Sequence, residues 1–69
     1  MYTAIRYYYP HGIEGEPMET TIKEFNSFGN AIAYARRYAK GKRFAGVQVE
    51  DATGNCIYEI TSNFEEIKW

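Results

Sequence analysis

Along the chain, apolar residues recur with a two-residue period in four stretches and with a helical period in one, and each change of rhythm falls on Gly, Pro, Asn, Asp or Ser. From Tyr2 to Tyr9 the residues are aromatic or β-branched, and the run breaks at Pro10-His11-Gly12, so it predicts a strand ended by a turn. Gly12 to Pro17 carries two glycines, a proline and two acids and reads as a loop. Met18 to Phe25 then alternates again, which makes the first two strands a hairpin.

The rhythm next changes to that of a helix. Asn26 or Ser27 can cap it, Phe28 begins it, and the pattern runs to Lys40 before Gly41, a favoured residue just past a helix C-terminus. At 100° per residue, Phe28, Ala31, Ile32, Ala35, Tyr38 and Ala39 share one stripe, the core-facing side. Asn30, Ala33, Tyr34, Arg37 and Lys40 fall on the other side. Three alanines in the middle of the stripe let the helix backbone lie close to whatever it covers, so bulky sheet residues must fill the remaining space.

Arg43 to Glu50 and Cys56 to Thr61 return to the strand period, joined by a turn that Asp51 opens and in which Gly54 takes the left-handed position. The tail from Phe64 to Trp69 suits a short fifth strand better than a helical turn. The expected fold class is therefore α+β, a ββαββ chain whose single helix packs on one face of a four- or five-stranded antiparallel sheet. One domain spans residues 1–69, since a chain this short buries only about 60% of its unfolded surface and cannot divide its core. If polar residues set the orientation of each strand, Arg6, Lys23, Gln48 and Glu59 point to solvent. Ile5, Tyr7, Ile22, Val47, Val49, Tyr58 and Ile60 then face the helix, and Tyr2, Arg6, Tyr8, Phe44 and Ile57 lie on the uncovered face.

Composition narrows the chemistry. The single cysteine, Cys56, excludes an internal disulfide, and with the single histidine, His11, it falls short of a protein-only zinc site, so neither a metal nor another cofactor is expected. His11 reads as a turn residue, Ser27 and Ser62 as cap and turn residues, and the glycines follow no phosphate-loop spacing. An enzyme is not expected. No apolar stretch approaches membrane-spanning length and the first residues do not read as a leader, so the expected compartment is the cytoplasm and no membrane partner is foreseen.

Charge is unevenly spread. The formal net charge is −1, yet residues 36–43 hold Arg36, Arg37, Lys40, Lys42 and Arg43 and no acid. One or two cations suit a helix C-terminus, each contributing about 0.3–1 kcal/mol with the helix dipole. Five exceed that role and mark a candidate docking patch for an anionic partner, with Tyr34 as its aromatic anchor. At 17% aromatic the chain has more rings than a small core needs, which makes Tyr2, Arg6, Tyr8 and Phe44 a second candidate surface on the sheet. That surface would serve single-stranded nucleic acid by base stacking, or a homodimer. Lys42, Phe44, Ala45 and Val47 match part of an RNA-recognition signature, but Gly46 and Val49 stand where stacking aromatics belong.

The order of elements resembles small phage-encoded anti-CRISPR inhibitors of type I effector complexes. The features that carry the resemblance are Asn26-Ser27 before a helix bearing Ala31 and Ala35, the Phe44-Ala45-Gly46-Val47 start of the third strand, Glu50, the Gly54 turn and Tyr58 after it. It implies a nucleic-acid mimic or wedge that binds a CRISPR effector subunit in the host bacterial cytoplasm and denies the complex its target DNA. Arg36 and Arg37 would correspond to basic helix residues of such inhibitors.

Overall fold

The computed structural model describes every residue from Met1 to Trp69. Its elements are β1 (Tyr2–Tyr8), β2 (Glu19–Phe25), α1 (Phe28–Tyr38), β3 (Phe44–Glu50), β4 (Cys56–Ile60) and β5 (Glu66–Lys68). All five strands join one antiparallel sheet in the order β2-β1-β3-β4-β5, and α1 carries the chain from edge strand β2 across β1 to β3. This is the expected α+β arrangement of one helix on one sheet face, with the tail as the fifth strand. No helix is long and apolar enough to cross a membrane.

Local chemistry sets the helix ends. Ser27 is the N-cap, its side chain accepting from the Asn30 N–H at 3.1 Å. The helix stops at Tyr38, two residues short of the expected end, because Ala39 at φ −80°, ψ 65° forms an inverse γ-turn in which the Lys40 N–H donates to the Tyr38 carbonyl at 2.9 Å. That turn swings Lys40 off the helix axis. In the β3–β4 loop, the Asp51 carboxylate accepts from the Thr53 and Asn55 N–H groups and from the Thr53 hydroxyl, while Gly54 adopts φ +88°. The Thr53 hydroxyl bond is the first cause holding that carboxyl below its usual pKa.

The core lies between α1 and the middle of the sheet. Ala4, Ala31, Ala35, Val47, Val49 and Tyr58 are fully buried, and Phe44 and Ile60 nearly so. Ala31 and Ala35 bring the helix backbone down onto Ala4, and Val47, Val49 and Tyr58 fill the space beside it, each aliphatic side chain contributing about 1.5–3 kcal/mol by burial. Val47, Val49, Tyr58 and Ile60 occupy the helix side as expected, with Ile32 partly buried against them, and alternation sends Gln48 and Glu59 to the open face.

The first hairpin is turned over relative to expectation. Because Ala4 is buried under the helix, alternation places Tyr2, Arg6 and Tyr8 on the helix side and Thr3, Ile5 and Tyr7 on the open face. The register of β2 follows, pairing Ile22 with Ile5 on the open face, where Ile22 is 64% exposed, and Lys23 with Ala4. A close-lying alanine helix leaves room at its crossing point only for a small residue. Arg6 reaches past the last turn of α1 and rests against Tyr38, a polar side chain on the helix side that needs no place in the core.

Phe44 moves for a different reason. Tyr7 pairs with Gly46 but Tyr8 pairs with Phe44, leaving Ala45 without a partner, so a bulge at Gly46 (φ +141°) reverses the alternation and sends Phe44 to the helix side. A second irregularity passes over Ile57, which packs partly against the core and leaves the open face. The uncovered face therefore bears no aromatic cluster of Tyr2, Arg6, Tyr8 and Phe44. It presents Ile5, Tyr7, Ile22 and Ile67 with the carboxylates of Glu24, Glu50 and Glu59, and no Lys or Arg.

Candidate functional site

Tyr34 and Tyr38 lie four residues apart, hence on one flank of α1, with ring centroids 4.9 Å apart. That flank overhangs the β2 and β1 half of the sheet, where Phe25 meets Tyr34 at 5.2 Å. Cations stand between the rings. Lys23 Nζ lies 5.7 Å from Phe25 and 5.8 Å from Tyr34, and the Arg37 guanidinium carbon lies 5.9 Å from Tyr38. The Arg6 guanidinium carbon lies 4.5 Å from the Tyr38 centroid and 5.2 Å from that of Tyr8. Each such contact is worth about 0.5–1 kcal/mol at an exposed site. The result is a run of four rings, Phe25, Tyr34, Tyr38 and Tyr8, threaded by three cations.

Two clefts share Tyr38. One, of about 310 Å³, is lined by Lys23, Phe25, Asn30, Tyr34 and Arg37. The other, of about 240 Å³ below the helix C-terminus, is lined by Arg6, Tyr8, Lys40, Arg43 and the edge of Phe44. A third and wider depression of about 380 Å³ lies behind Phe44, between Lys42 and Phe64. Phe64 stacks on Phe44 at 5.3 Å and holds φ +66°, a left-handed conformation seldom adopted by a bulky residue.

The basic run 36–43 does not form one patch. Arg36 turns to the opposite flank, where its Nε donates to Glu66 Oε1 at 2.8 Å, and the Tyr58 hydroxyl donates to the same oxygen at 2.5 Å. The bond from Arg36, then that from Tyr58, holds the Glu66 carboxyl below its ordinary pKa, and the bond to Glu66 raises that of Arg36. Burial is the main cause that pushes the Tyr58 phenol up, and Glu66 adds to it. Arg36 thus tethers β5 to the helix and has its Nε committed to a carboxylate of the same molecule. Lys42 leaves toward the third depression, while Arg37, Lys40 and Arg43 join the cation and aromatic flank.

Tyr34, expected as an exposed anchor, is half-buried against Phe25, and Tyr38, expected in the core, is the more exposed ring. Tyr2 packs on Phe28 at 5.5 Å, away from the flank. Arg6 and Lys23 are the members that sequence reasoning assigned to the wrong face. The four-residue spacing of Tyr34 and Tyr38 was the readable sign that one helix flank carries rings.

Of the eight Lys and Arg, only Arg36 has a carboxylate within 4.0 Å. The other recorded ion pair joins His11 to Glu16 at 3.4 Å in the first loop. No Lys or Arg stands on the open face, because the three strand cations, Arg6, Lys23 and Lys68, lie on the helix side by register and the rest belong to α1 or the loop after it. Cys56 donates to the Tyr58 carbonyl at 3.5 Å, and burial pushes its thiol pKa up, the opposite of a reactive thiolate. No three His, Cys, Asp or Glu side chains are grouped to hold a metal ion. No protein-family model, curated protein or solved structure matches the chain.

Proposed function

We propose that the protein is a non-enzymatic binding protein that docks on an anionic surface of a nucleic-acid-handling effector complex and blocks its recognition of target DNA. It would act in the bacterial cytoplasm, in the manner of the phage inhibitors its sequence resembles. One observation carries the reading: Arg6, Lys23, Arg37, Lys40 and Arg43 stand on one flank beside four aromatic rings with no carboxylate in ion-pair reach. Tyr and Arg dominate interface hot spots, and half-buried rings are already ordered, so little side-chain entropy is lost on docking. Cations without intramolecular partners leave their charge for the anionic surface to complement.

The same flank favours a second reading, direct binding of single-stranded nucleic acid, because bases stacked on Tyr34 and Tyr38 would gain about 1–3 kcal/mol each while phosphates meet the cations. The experiment separates the two. Target-DNA binding by a purified type I effector complex is measured by gel shift with increasing protein, beside a labelled single-stranded oligonucleotide offered to the protein alone. Docking predicts inhibition that Arg37→Glu with Lys40→Glu abolishes and Arg36→Glu leaves intact. Undiminished DNA binding at saturating protein refutes it, and oligonucleotide binding that falls steeply with salt selects the second reading.

A further inference from the structure

The cleft below the helix C-terminus is more specialised than a docking patch requires. Arg6, Lys40 and Arg43 converge on it, no acidic residue lines it, and Tyr8, Tyr38 and Phe44 form its walls. Each cation is positioned by something other than a counter-charge. Arg6 lies against the Tyr38 and Tyr8 rings, Lys40 is swung out by the turn at Ala39, and the backbone of Arg43 is tied to the residue after β1 by its carbonyl, which accepts from the Tyr9 N–H at 2.7 Å. The Arg6 Nε is closed off from solvent and has no hydrogen-bond acceptor in the protein. The terminal Nη groups are not closed off and have no acceptor in the protein either, so an oxyanion in the cleft meets the guanidinium through them.

Charge and size narrow the ligand. Three positive groups, offset by the roughly half negative charge of the helix C-terminus and by Glu19, whose carboxylate accepts from the Tyr8 hydroxyl at 3.1 Å beside the cleft, still leave an excess that a doubly charged anion neutralises better than a singly charged one. Guanidinium groups suit phosphate oxygens, which they can meet with two parallel N–H donors. At about 240 Å³ the cleft is below the roughly 300–1,000 Å³ of sites that enclose drug-sized ligands. It has room for a phosphate, and the group it esterifies would extend from the mouth along the exposed part of Tyr38. We infer that this cleft binds a phosphate monoester carried by a nucleoside, with Arg6, Lys40 and Arg43 as its phosphate ligands.

Two sources share that chemistry, a free mononucleotide and the 5′-phosphorylated end of an oligonucleotide. Binding is measured by calorimetry and by the Arg6 Nε–Hε cross-peak in a ¹H–¹⁵N spectrum, with AMP, adenosine, a 5′-phosphorylated trinucleotide and its unphosphorylated form as probes. The expected result is a shift of the Arg6 cross-peak with AMP or the phosphorylated trinucleotide, and at least tenfold weaker binding of adenosine and the unphosphorylated form. The tighter of the two phosphorylated probes identifies the source. Lys40→Glu and Arg43→Glu, both at exposed positions, should weaken binding at least tenfold, while Arg36→Glu stays within twofold, so the result does not depend on the fold surviving a change at Arg6. Equal binding with and without the phosphate, or an Arg6 cross-peak unmoved at millimolar probe, overturns the inference. Its failure is distinct from failure of the docking reading, since a protein without effect on an effector complex still binds AMP if the cleft is a phosphate site.

Discussion

Replacing Gly46 by Ala tests how the fold delivers Phe44 to the clefts. At φ +141° Gly46 holds a backbone conformation that side-chain-bearing residues rarely adopt, and an added Cβ would meet the Ile60 carbonyl oxygen at 3.6 Å, an ordinary contact. Sterics are therefore minor, and the cost is backbone strain of about 1–3 kcal/mol. The chain could escape the strain by straightening the bulge, but that would turn Phe44 out of a core in which it is 6% exposed and forfeit about 1.5–3 kcal/mol of burial. Since the escape saves nothing, the bulge persists and the variant carries the strain. Urea denaturation should show a loss of about 2 kcal/mol with an unchanged slope, and the thermal midpoint should fall by roughly 10 °C, given about 4–8 °C per kcal/mol for a domain of this size. Gly29→Ala, in α1 with open space around the new methyl, should shift stability the other way by about 0.4–1 kcal/mol. A Gly46→Ala protein as stable as the parent would refute the bulge as the device that reverses the strand.

Further outcomes follow from the same geometry. Ala35→Leu forces a larger side chain between α1 and the sheet where Ala35 is fully buried, and should destabilise by about 1–3 kcal/mol in the same assay. Because the folded Glu66 and Asp51 carboxyls are held below their ordinary pKa, their contribution is complete above about pH 4.5 and is lost as pH falls through the lowered folded values. A urea midpoint followed from pH 6 to pH 2 should decline over that range, and less steeply in Glu66→Gln. The Tyr58 phenol is shifted upward, so its contribution is present below about pH 10 and disappears as pH rises toward the raised folded value, which Tyr58→Phe should abolish. Phe64→Gly removes the left-handed strain, about 1–2 kcal/mol, together with the stack on Phe44, about 0.5–1.5 kcal/mol, and should leave the thermal midpoint within a few degrees.

The elements and their order were legible because each is announced locally, by Ser27 before the helix, Asp51 and Gly54 in the last long turn, and alternation in every strand. The faces were less so. Assigning Arg6 and Lys23 to solvent uses polarity, whereas the first hairpin is oriented by the space under Ala31 and Ala35, a tertiary quantity that strand alternation does not encode. Gly46 was visible as a glycine in a strand, but its effect on Phe44 depends on how β3 is registered against β1. The basic run 36–43 was conspicuous in the chain, yet its division rests on Glu66, thirty residues from Arg36 in sequence, and on a turn at Ala39 that ends the helix early.

A net charge of −1 suggests a molecule that a polyanion would repel. The layered placement of charge predicts otherwise, for with Glu24, Glu50 and Glu59 behind the sheet and only Glu19 and Glu66 among the strand acids on the helix side with the cations, the two centres of charge do not coincide. Near a negatively charged surface the molecule experiences a torque, and within a Debye length of about 8 Å at physiological salt it turns its helix layer forward before contact. Added salt would slow such an encounter as it would for a basic protein, and isoelectric point alone would never have suggested it.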